Sequence, residues 1–158
     1  MARALLLIKG NGSTILTRYG QVGEAALFIL DDLRYSEEHI WVRYEENHTV
    51  TLGITDFAQC QLGELNYVEL PNEGDDIATR EPLGSVECNS LVNDLYSPVY
   101  GRVVSVNRDV IDDPSLVNYS PYNEGWIMRA KLFSLNDLET LMSADEYEKY
   151  ILTNYPPR

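Results

Sequence analysis

Short runs of alternating hydrophobic and polar residues, separated by turn residues, cover most of this chain. Two β-rich runs, HIWVRYEE and TVTLGI, are separated by Asn47-His48, and this spacing predicts a hairpin. A further hairpin is predicted where PLGSVEC and LVNDLYSPV meet at a polar tip. Additional strands are predicted in LNYVEL, GRVVSVN and WIMRAKLF.

Helical signals are fewer, and they lie in the middle and at the end of the chain. Thr55 is a candidate N-cap for a short helix, DFAQCQL. Ser134 and Ser143 are N-cap candidates near the end, and Ser143 with Glu146 forms a capping box ahead of YEKYIL. One helical turn is predicted around Pro114–Val117. Many short strands with short and C-terminal helices indicate a mainly β, α+β fold arranged as a sandwich or barrel.

The start of the chain differs from this regular pattern. Residues 1–33 are predicted to be an N-terminal extension, and residues 34–158 the main domain. Within the extension, Ala4–Ile8 and Thr14–Tyr19 flank KGNGS, whose Asn11-Gly12 pair suits a tight hairpin turn.

Targeting signals are weak in the first residues. The apolar run is only five residues long, shorter than the ~7–15 residues of a secretory signal. Residues 1–23 contain bases and no acid, as transit peptides can, but four glycines argue against the amphipathic helix that such peptides form. Two distant cysteines do not suggest a disulfide framework. We therefore predict a cytoplasmic protein, with a mitochondrial location as the alternative for a eukaryotic source.

The charge of the chain limits its partners. It carries 25 Asp and Glu against 12 Lys and Arg, a formal net charge of −13. Nucleic acids and anionic membrane surfaces require clustered bases, so neither is a predicted partner. No apolar run approaches the ~20 residues that span a membrane. The predicted partners are proteins, with basic surfaces favoured.

The run YSEEHIWVRYEENHTVTLGITDFAQCQLGELNYVELPNEGD resembles the glycine cleavage system H protein family. The resemblance rests on EHIWV, GITD, AQ, QLG and VELP, in that order. Downstream, DLYSPVYGRVVSVN, LVNYSPYNEGWIMRAKL and SADEYEKYI resemble later family segments. The match covers roughly residues 35–151. It implies a barrel-sandwich hybrid of the lipoyl/biotinyl type.

The resemblance also implies a carrier rather than an enzyme. In that family a hairpin-tip lysine holds lipoyl in amide linkage, and this arm moves an aminomethyl group between enzymes. The family tip reads Glu-Ser-Val-Lys, with an aspartate shortly after it. Counted from the flanking glycines without a gap, these positions are occupied by Glu87, Cys88, Asn89, Ser90 and Asp94.

Ser90 therefore takes the place of the lysine, and no lysine lies between residues 10 and 130. A hydroxyl is a weak nucleophile that needs an adjacent base, and neither Asn89 nor Leu91 supplies one. We predict no lipoyl, no other cofactor, no metal and no catalytic residue. The tip residues Glu87, Cys88, Asn89 and Asp94 are predicted to serve recognition. The predicted function is a non-catalytic adaptor, regulator or interaction module in glycine cleavage or another lipoate-linked pathway.

Two alternatives stay open at this point. The chain could be a genuine aminomethyl carrier, or a thiol-based carrier or redox protein that uses Cys88. The simpler prediction for Cys88 is a small hydrophobic residue near a strand end, since no Lys, Arg or His lies close by to form a thiolate.

The remaining polar and aromatic candidates have structural explanations. We expect Cys60 to pack, His39 to be structural and His48 to be solvated, and these dispersed residues do not form a zinc pattern. Acidic positions are attributed to turns and solvation, namely Asp56, Asp75-Asp76 and Asp112-Asp113. Core packing is predicted for a group of aromatic residues, with a docking surface as the alternative: Tyr119, Tyr122 and Trp126.

Overall fold

A computed structural model of the chain describes residues 7–9, 14–19 and 25–155. Within them the strands are β1 (Leu7–Lys9), β2 (Thr14–Tyr19), β3 (Ala25–Leu30), β4 (Arg34–Tyr35), β5 (Ile40–Tyr44), β6 (Thr49–Ile54), β7 (Tyr67–Glu69), β8 (Asp76–Ile77), β9 (Pro82–Cys88), β10 (Leu91–Tyr96), β11 (Gly101–Val106) and β12 (Met128–Leu132). The helices are α1 (Asp56–Leu62), α2 (Arg108–Asp112), α3 (Ser115–Tyr119), α4 (Asn136–Glu139) and α5 (Ala144–Asn154). None of these helices is both long and apolar enough to cross a membrane.

The described strands pair antiparallel in three sheets. The largest sheet has the order β4-β5-β6-β12-β11-β8. The hairpin sheet has the order β10-β9-β7, and the N-terminal sheet has the order β1-β2-β3. The mainly β fold class predicted from the sequence is confirmed.

The six-stranded sheet and the hairpin sheet pack against each other through their apolar inner faces. In β12, buried residues alternate with exposed Arg129 and Lys131, as the two-residue period of a strand requires. One contiguous hydrophobic core contains side chains from both sheets, among them Val50, Leu52, Val68, Val86, Leu95, Met128 and Ala130. The outer faces of the two sheets therefore point away from each other.

A second core lies where β3, α1 and α5 meet the start of the six-stranded sheet. Its buried members are Ile29, Leu33, Tyr35, Trp41, Phe57, Ala144, Tyr147 and Ile151. Besides pairing with β2, β3 is tied to this core by side-chain hydrogen bonds. Asp56 accepts a hydrogen bond from the Phe28 N–H at 2.9 Å, and the Tyr35 hydroxyl contacts both backbone groups of Leu30. The second core thus includes residues from both sides of the predicted boundary at residue 33, and the division into extension and domain stays a prediction.

Trp41 shows why glycine is needed at one position of this sheet. Gly53 pairs with Trp41 across β5 and β6, and a Cβ at Gly53 would lie 2.3 Å from the indole ring. The indole N–H donates to the Pro121 carbonyl at 2.9 Å, so the fully buried ring keeps its hydrogen bond.

Several local predictions are confirmed. β5 and β6 form the predicted hairpin, with positive φ at Asn47 and His48. Thr55 caps α1, accepting a hydrogen bond from the Ala58 N–H. Ser143 and Glu146 form the predicted capping box of α5.

Ser134 caps the start of α4 as predicted: Leu135 after it has helical backbone angles, and the Ser134 hydroxyl accepts a hydrogen bond from the Asn136 N–H at 3.2 Å. One helix prediction needs correction. The single helical turn predicted around Pro114–Val117 corresponds to α3. The preceding helix α2 was not predicted. Its sequence signal is Asn107, whose side chain accepts from the Asp109 N–H.

In the N-terminal region, β1 pairs antiparallel with β2. The predicted turn at Asn11-Gly12 lies outside the described residues.

Candidate functional site

The tip of the β9–β10 hairpin is a two-residue turn. Cys88 pairs with Leu91, which leaves Asn89 and Ser90 as the connection. Their φ angles are 51° and 64°, the left-handed geometry that favoured two-residue hairpins require. Asn adopts this geometry readily, whereas it is less common for Ser. Both residues are exposed, so Ser90 is accessible to solvent at the hairpin tip.

Two of the predicted recognition residues lie on the outward face of the hairpin sheet. Glu87 pairs with Val92, and Asp94 pairs with Ser85. Residues directly opposite in an antiparallel pair share a face, so these side chains point to the same side as exposed Tyr67 on β7. We call this surface the hairpin face; its members are Tyr67, Glu69, Glu87, Val92 and Asp94.

The third predicted residue of the tip points the other way. Cys88 is only 5% exposed and belongs to the main core, with its Sγ 3.5 Å from the Asn93 Nδ2. The structure therefore separates Cys88 from Glu87, Asn89 and Asp94. A thiol in this position is not accessible to a partner unless the tip opens.

Sequence reasoning missed the exposed apolar residues near the tip. On the hairpin face, Val92 is 67% exposed and Tyr67 is 55% exposed; Leu91, which pairs with Cys88 and lies on the other side of the sheet, is 68% exposed. The tip therefore combines exposed apolar area with carboxylates.

A cleft of about 240 Å³ lies beside the hairpin, between β10, α1 and the end of α5. Its apolar lining includes Ile40, Ile54, Leu62, Val86 and Leu95. Its polar and aromatic lining includes Glu38, His39, Phe57, Gln61, Asn93, Asp94 and Tyr155. Asp94 thus belongs to both the cleft and the hairpin face.

His39 is fixed at one side of this cleft by a hydrogen-bonded chain. Its Nδ1 lies 2.8 Å from the Tyr147 hydroxyl, which lies 2.8 Å from the Thr55 hydroxyl. Its Nε2 lies 3.2 Å from the Tyr155 hydroxyl. Burial lowers the pKa of His39 to about 4, so the ring is neutral at pH 7. These contacts agree with the structural role predicted for His39.

Three other sequence predictions are wrong. Cys60 is exposed on α1 rather than packed; partial burial and the charge of Asp56 raise the pKa of its thiol to about 11. Asp56 is buried rather than solvated, because its carboxylate binds Phe28 and Gln59. Tyr119 is 85% exposed, since α3 turns it away from the core.

The other two aromatic residues of that group behave as predicted. Tyr122 and Trp126 pack against the second core. His48 is exposed, also as predicted. Within the described part of the chain, no group of three His, Cys, Asp or Glu residues could hold a metal ion.

The residues at the tip do not fit an amide-linked lipoyl group. An amide requires an amine, and the tip offers the hydroxyl of Ser90 and the neutral amide of Asn89. Lys131 lies in β12 of the six-stranded sheet and Lys149 lies in α5, so neither belongs to the hairpin.

Comparison with known proteins gives a consistent result. The family profile described as Glycine cleavage H-protein matches residues 33–154. The glycine cleavage system H protein of Anoxybacillus flavithermus is 47% identical over 120 residues, covering 76% of this chain and 94% of the relative. The protein of the same name from Halalkalibacterium halodurans is 48% identical over 121 residues, covering 77% and 94%.

A solved structure extends the similarity to the fold. The crystal structure of a glycine cleavage system H protein from Mycobacterium marinum matches with a TM-score of 0.69 and 30% sequence identity. The match covers 78% of this chain and 97% of that protein. The resemblance inferred from the sequence motifs is confirmed, and so is the barrel-sandwich fold of the lipoyl type.

Proposed function

Because the chain belongs to the glycine cleavage H-protein family, we propose that it is a member that carries no lipoyl group and acts by binding other proteins. In this role it is an adaptor, a regulator or a competitor of a lipoylated carrier, in glycine cleavage or another lipoate-linked pathway. It is not an enzyme, it holds no cofactor, and it works in the cytoplasm. The observation that carries this proposal is Ser90 at the tip of the hairpin, in a stretch without any lysine.

The chemistry of the tip supports the proposal. Ser90 and Asn89 occupy both positions of the turn, so no other side chain reaches the tip from within the turn. The Ser90 hydroxyl makes no hydrogen bond to the described residues, and thus no base activates it. An ester on this hydroxyl would be shorter in reach and more easily hydrolysed than an amide on lysine.

The hairpin face supports the binding role. Exposed Tyr67 and Val92 supply apolar area, which is common at the centre of protein interfaces. Glu87 and Asp94 add negative charge beside it. A partner with a basic rim around an apolar contact fits this surface, and enzymes that receive a hairpin of this fold are the proposed class.

Intact-mass spectrometry after co-expression with a lipoyl-attaching enzyme tests the missing modification. We expect the unmodified mass for the natural chain and a lipoyl adduct for Ser90→Lys, because Glu87 and Asp94 still flank the tip. Asn89→Lys is the matched control, since it places the same amine one residue away in the same turn.

A lipoyl adduct on residues 84–101 of the natural chain would refute the proposal. If Ser90→Lys folds but stays unmodified, the rest of the tip has also changed, and the assumption that Glu87 and Asp94 suffice for recognition is wrong.

A genuine carrier is the second candidate, and one observation favours it. The curated relatives named glycine cleavage system H protein are close to half identical over most of their length. A reconstituted glycine cleavage assay separates the candidates. A genuine carrier gives glycine-dependent turnover as the sole carrier, whereas the proposed module gives none and inhibits a lipoylated carrier.

The same assay tests the thiol alternative. An aminomethyl or acyl adduct trapped on Cys88 would support that reading, and its burial leads us to expect none. A pull-down with mass spectrometry of both bait and prey then reports partners and modification together.

A further inference from the structure

The hairpin sheet ends at β10, and no described strand pairs with the outer side of β10. β10 is six residues long, whereas the other end strands of the two main sheets, β4, β7 and β8, have only two or three residues. A strand that stays unpaired on one side leaves a row of backbone donors and acceptors open to another chain.

The strand register shows which backbone groups of β10 are left over. Leu91 lies opposite Cys88 beside the two-residue turn, and residues in that position bond to each other. Bonded and non-bonded pairs alternate along an antiparallel ladder, so Asn93 also bonds to β9. The N–H and C=O groups of Val92 and Asp94 therefore point away from the sheet.

The Glu87 carbonyl gives independent support for this alternation. Glu87 lies opposite Val92, yet its carbonyl accepts a hydrogen bond from the Asn66 N–H at 2.8 Å, on the side of β7. Glu87 thus directs its backbone groups away from β10, as a member of a non-bonded pair does.

The outer side of β3 is closed within the chain, in contrast to that of β10. The Phe28 N–H donates to Asp56 and the Phe28 carbonyl accepts from Tyr122, while the Tyr35 hydroxyl contacts both backbone groups of Leu30. No described side chain bonds to the outward backbone groups of β10 in this way. The outer side of β10 is therefore accessible to a strand from another molecule.

The outward side chains of β10 restrict the chemistry of such a strand. Val92 is 67% exposed and Asp94 is also exposed, and both belong to the hairpin face with Glu87. The three strands of the hairpin sheet contain no Lys or Arg. A residue placed opposite Asp94 on an added strand shares its face, where a Lys or Arg gains a cross-strand ion pair. A residue opposite Val92 gains an apolar contact.

The other face of β10 favours apolar residues. Leu95 is buried and Asn93 is partly buried, and both line the cleft between β10, α1 and α5. An added strand directs every second side chain to this side, next to the apolar lining of the cleft. The segment that fits is therefore extended, with apolar residues on one face and basic and apolar residues on the other.

We propose that β10 binds an extended segment of a partner protein as an additional strand, and that this segment alternates apolar with basic residues. This mode of binding rests on the proposed function, in which the chain acts by binding other proteins. Backbone hydrogen bonds to Val92 and Asp94 supply affinity, and the Asp94 carboxylate selects for a base. A second copy of the chain does not fit, because two β10 strands would bring their own carboxylates together.

Residue-resolved amide hydrogen exchange of the full chain, followed by NMR, tests the proposal. The probe is the end-blocked peptide Thr-Val-Lys-Val-Lys-Val-Thr, which has one apolar and one basic face. In the free chain the amides of Val92 and Asp94 should exchange quickly, whereas those of Leu91 and Asn93 should exchange slowly. Bound peptide should protect the amides of Val92 and Asp94 as well.

Backbone methylation of the peptide separates strand addition from attraction by charge alone. N–H groups of successive residues point to opposite edges of a strand, so N-methyl groups on the valines block one edge and those on the lysines block the other. The side chains and the charge stay the same in both methylated peptides. Loss of binding by the lysine set alone indicates an antiparallel added strand, and loss by the valine set alone indicates a parallel one.

Variants of the chain test the same contact from the other side. Val92→Pro removes one outward N–H, and proline is tolerated on an edge strand where that N–H has no partner. This variant should lose peptide binding, whereas the matched control Val92→Thr, which keeps the N–H, should bind like the natural chain.

The contribution of charge is tested separately. Asp94→Lys should weaken peptide binding by about fivefold or more, since repulsion replaces an exposed ion pair. Glu139→Lys makes the same charge change at an exposed position outside the hairpin sheet and should leave binding unchanged.

Four results would overturn this mode of binding: amides of Val92 and Asp94 that are already protected in the free chain, exchange that the peptide does not change, methylated peptides that both bind or both fail, or a folded Val92→Pro that binds normally. A natural chain that captures partners in the pull-down but ignores the peptide would keep the proposed function and lose only the added strand. A lipoyl adduct on the natural chain, with peptide binding intact, would instead refute the proposed function alone.

Discussion

His39 and Ser90 share an unusual backbone geometry but lie in opposite environments. Their φ angles are 67° and 64°, values that few non-glycine residues adopt. His39 is held in this geometry by hydrogen bonds to Tyr147 and Tyr155 beside the second core. Ser90 is exposed at the hairpin tip, where only the turn determines its geometry. The identity of His39 is therefore fixed by its neighbours, whereas the tip residue can change without disturbing the fold.

Among the proposed variants, Trp41→Ala should cause the largest loss of stability. Trp41 is fully buried in the second core and hydrogen-bonded to Pro121. Its removal should lower the free energy of unfolding by about 3–5 kcal/mol, measured by urea denaturation. The matched control is Leu91→Ala at the tip, which should cost less than about 0.5 kcal/mol because Leu91 is 68% exposed. Equal losses for the two variants would contradict the contrast between a packed core and a free tip.

His39 should make stability depend on pH. Its pKa is about 4 in the folded chain against 6.5 for the exposed side chain, so the unfolded chain binds the proton more tightly. The stabilisation is complete above pH 6.5 and is lost as the pH falls towards 4. Its full size is about 3 kcal/mol.

Urea unfolding at several pH values measures this effect. His39→Asn, which also suits a positive φ, should remove that part of the pH dependence. His48→Asn is the control, since His48 has a φ of 63° but is exposed. A pH profile of His39→Asn that matches the natural chain would show that burial of this imidazole has no energetic consequence.

Ser90→Gly should have the smallest effect on stability, and it tests whether the turn alone determines the geometry of the tip. Glycine adopts the left-handed geometry without the steric cost that Ser90 bears, and Asn-Gly is a preferred pair in this turn. We expect stabilisation by about 0.5–1 kcal/mol in thermal or urea unfolding. The same change at His39 should instead destabilise, because it removes the hydrogen bonds to Tyr147 and Tyr155. Destabilisation by Ser90→Gly would mean that the serine side chain has a structural role at the tip.

Much of the local structure could be predicted from the sequence. The β5–β6 hairpin, the Thr55 cap and the Ser143 capping box depend on residues close in the chain, and the sequence pattern is sufficient for them. The family resemblance was also readable, because its motifs occur in order. The exposed positions of Tyr119 and Cys60 were not, since burial of an aromatic residue or a thiol depends on which elements pack against it.

The candidate site, like the fold, was only partly predictable from the sequence. The sequence indicated Glu87, Cys88, Asn89, Ser90 and Asp94 at the tip; the buried position of Cys88 agrees with its simpler prediction as a small hydrophobic residue and contradicts its predicted recognition role. The sequence did not show that Tyr67 and Val92 lie beside Glu87, because that row is formed only when β7, β9 and β10 pair.

By itself the sequence determined the chemical groups of the hairpin tip, because covalent identity and a two-residue turn require no distant contact. It also determined the family, through motifs that lie along the chain. Only the tertiary structure decided that acids from β7, β9 and β10 form one face and that the outer side of β10 has no partner strand in the described chain. The reason is physical: side chains far apart in the chain become neighbours only through strand register, which is set by long-range pairing and burial.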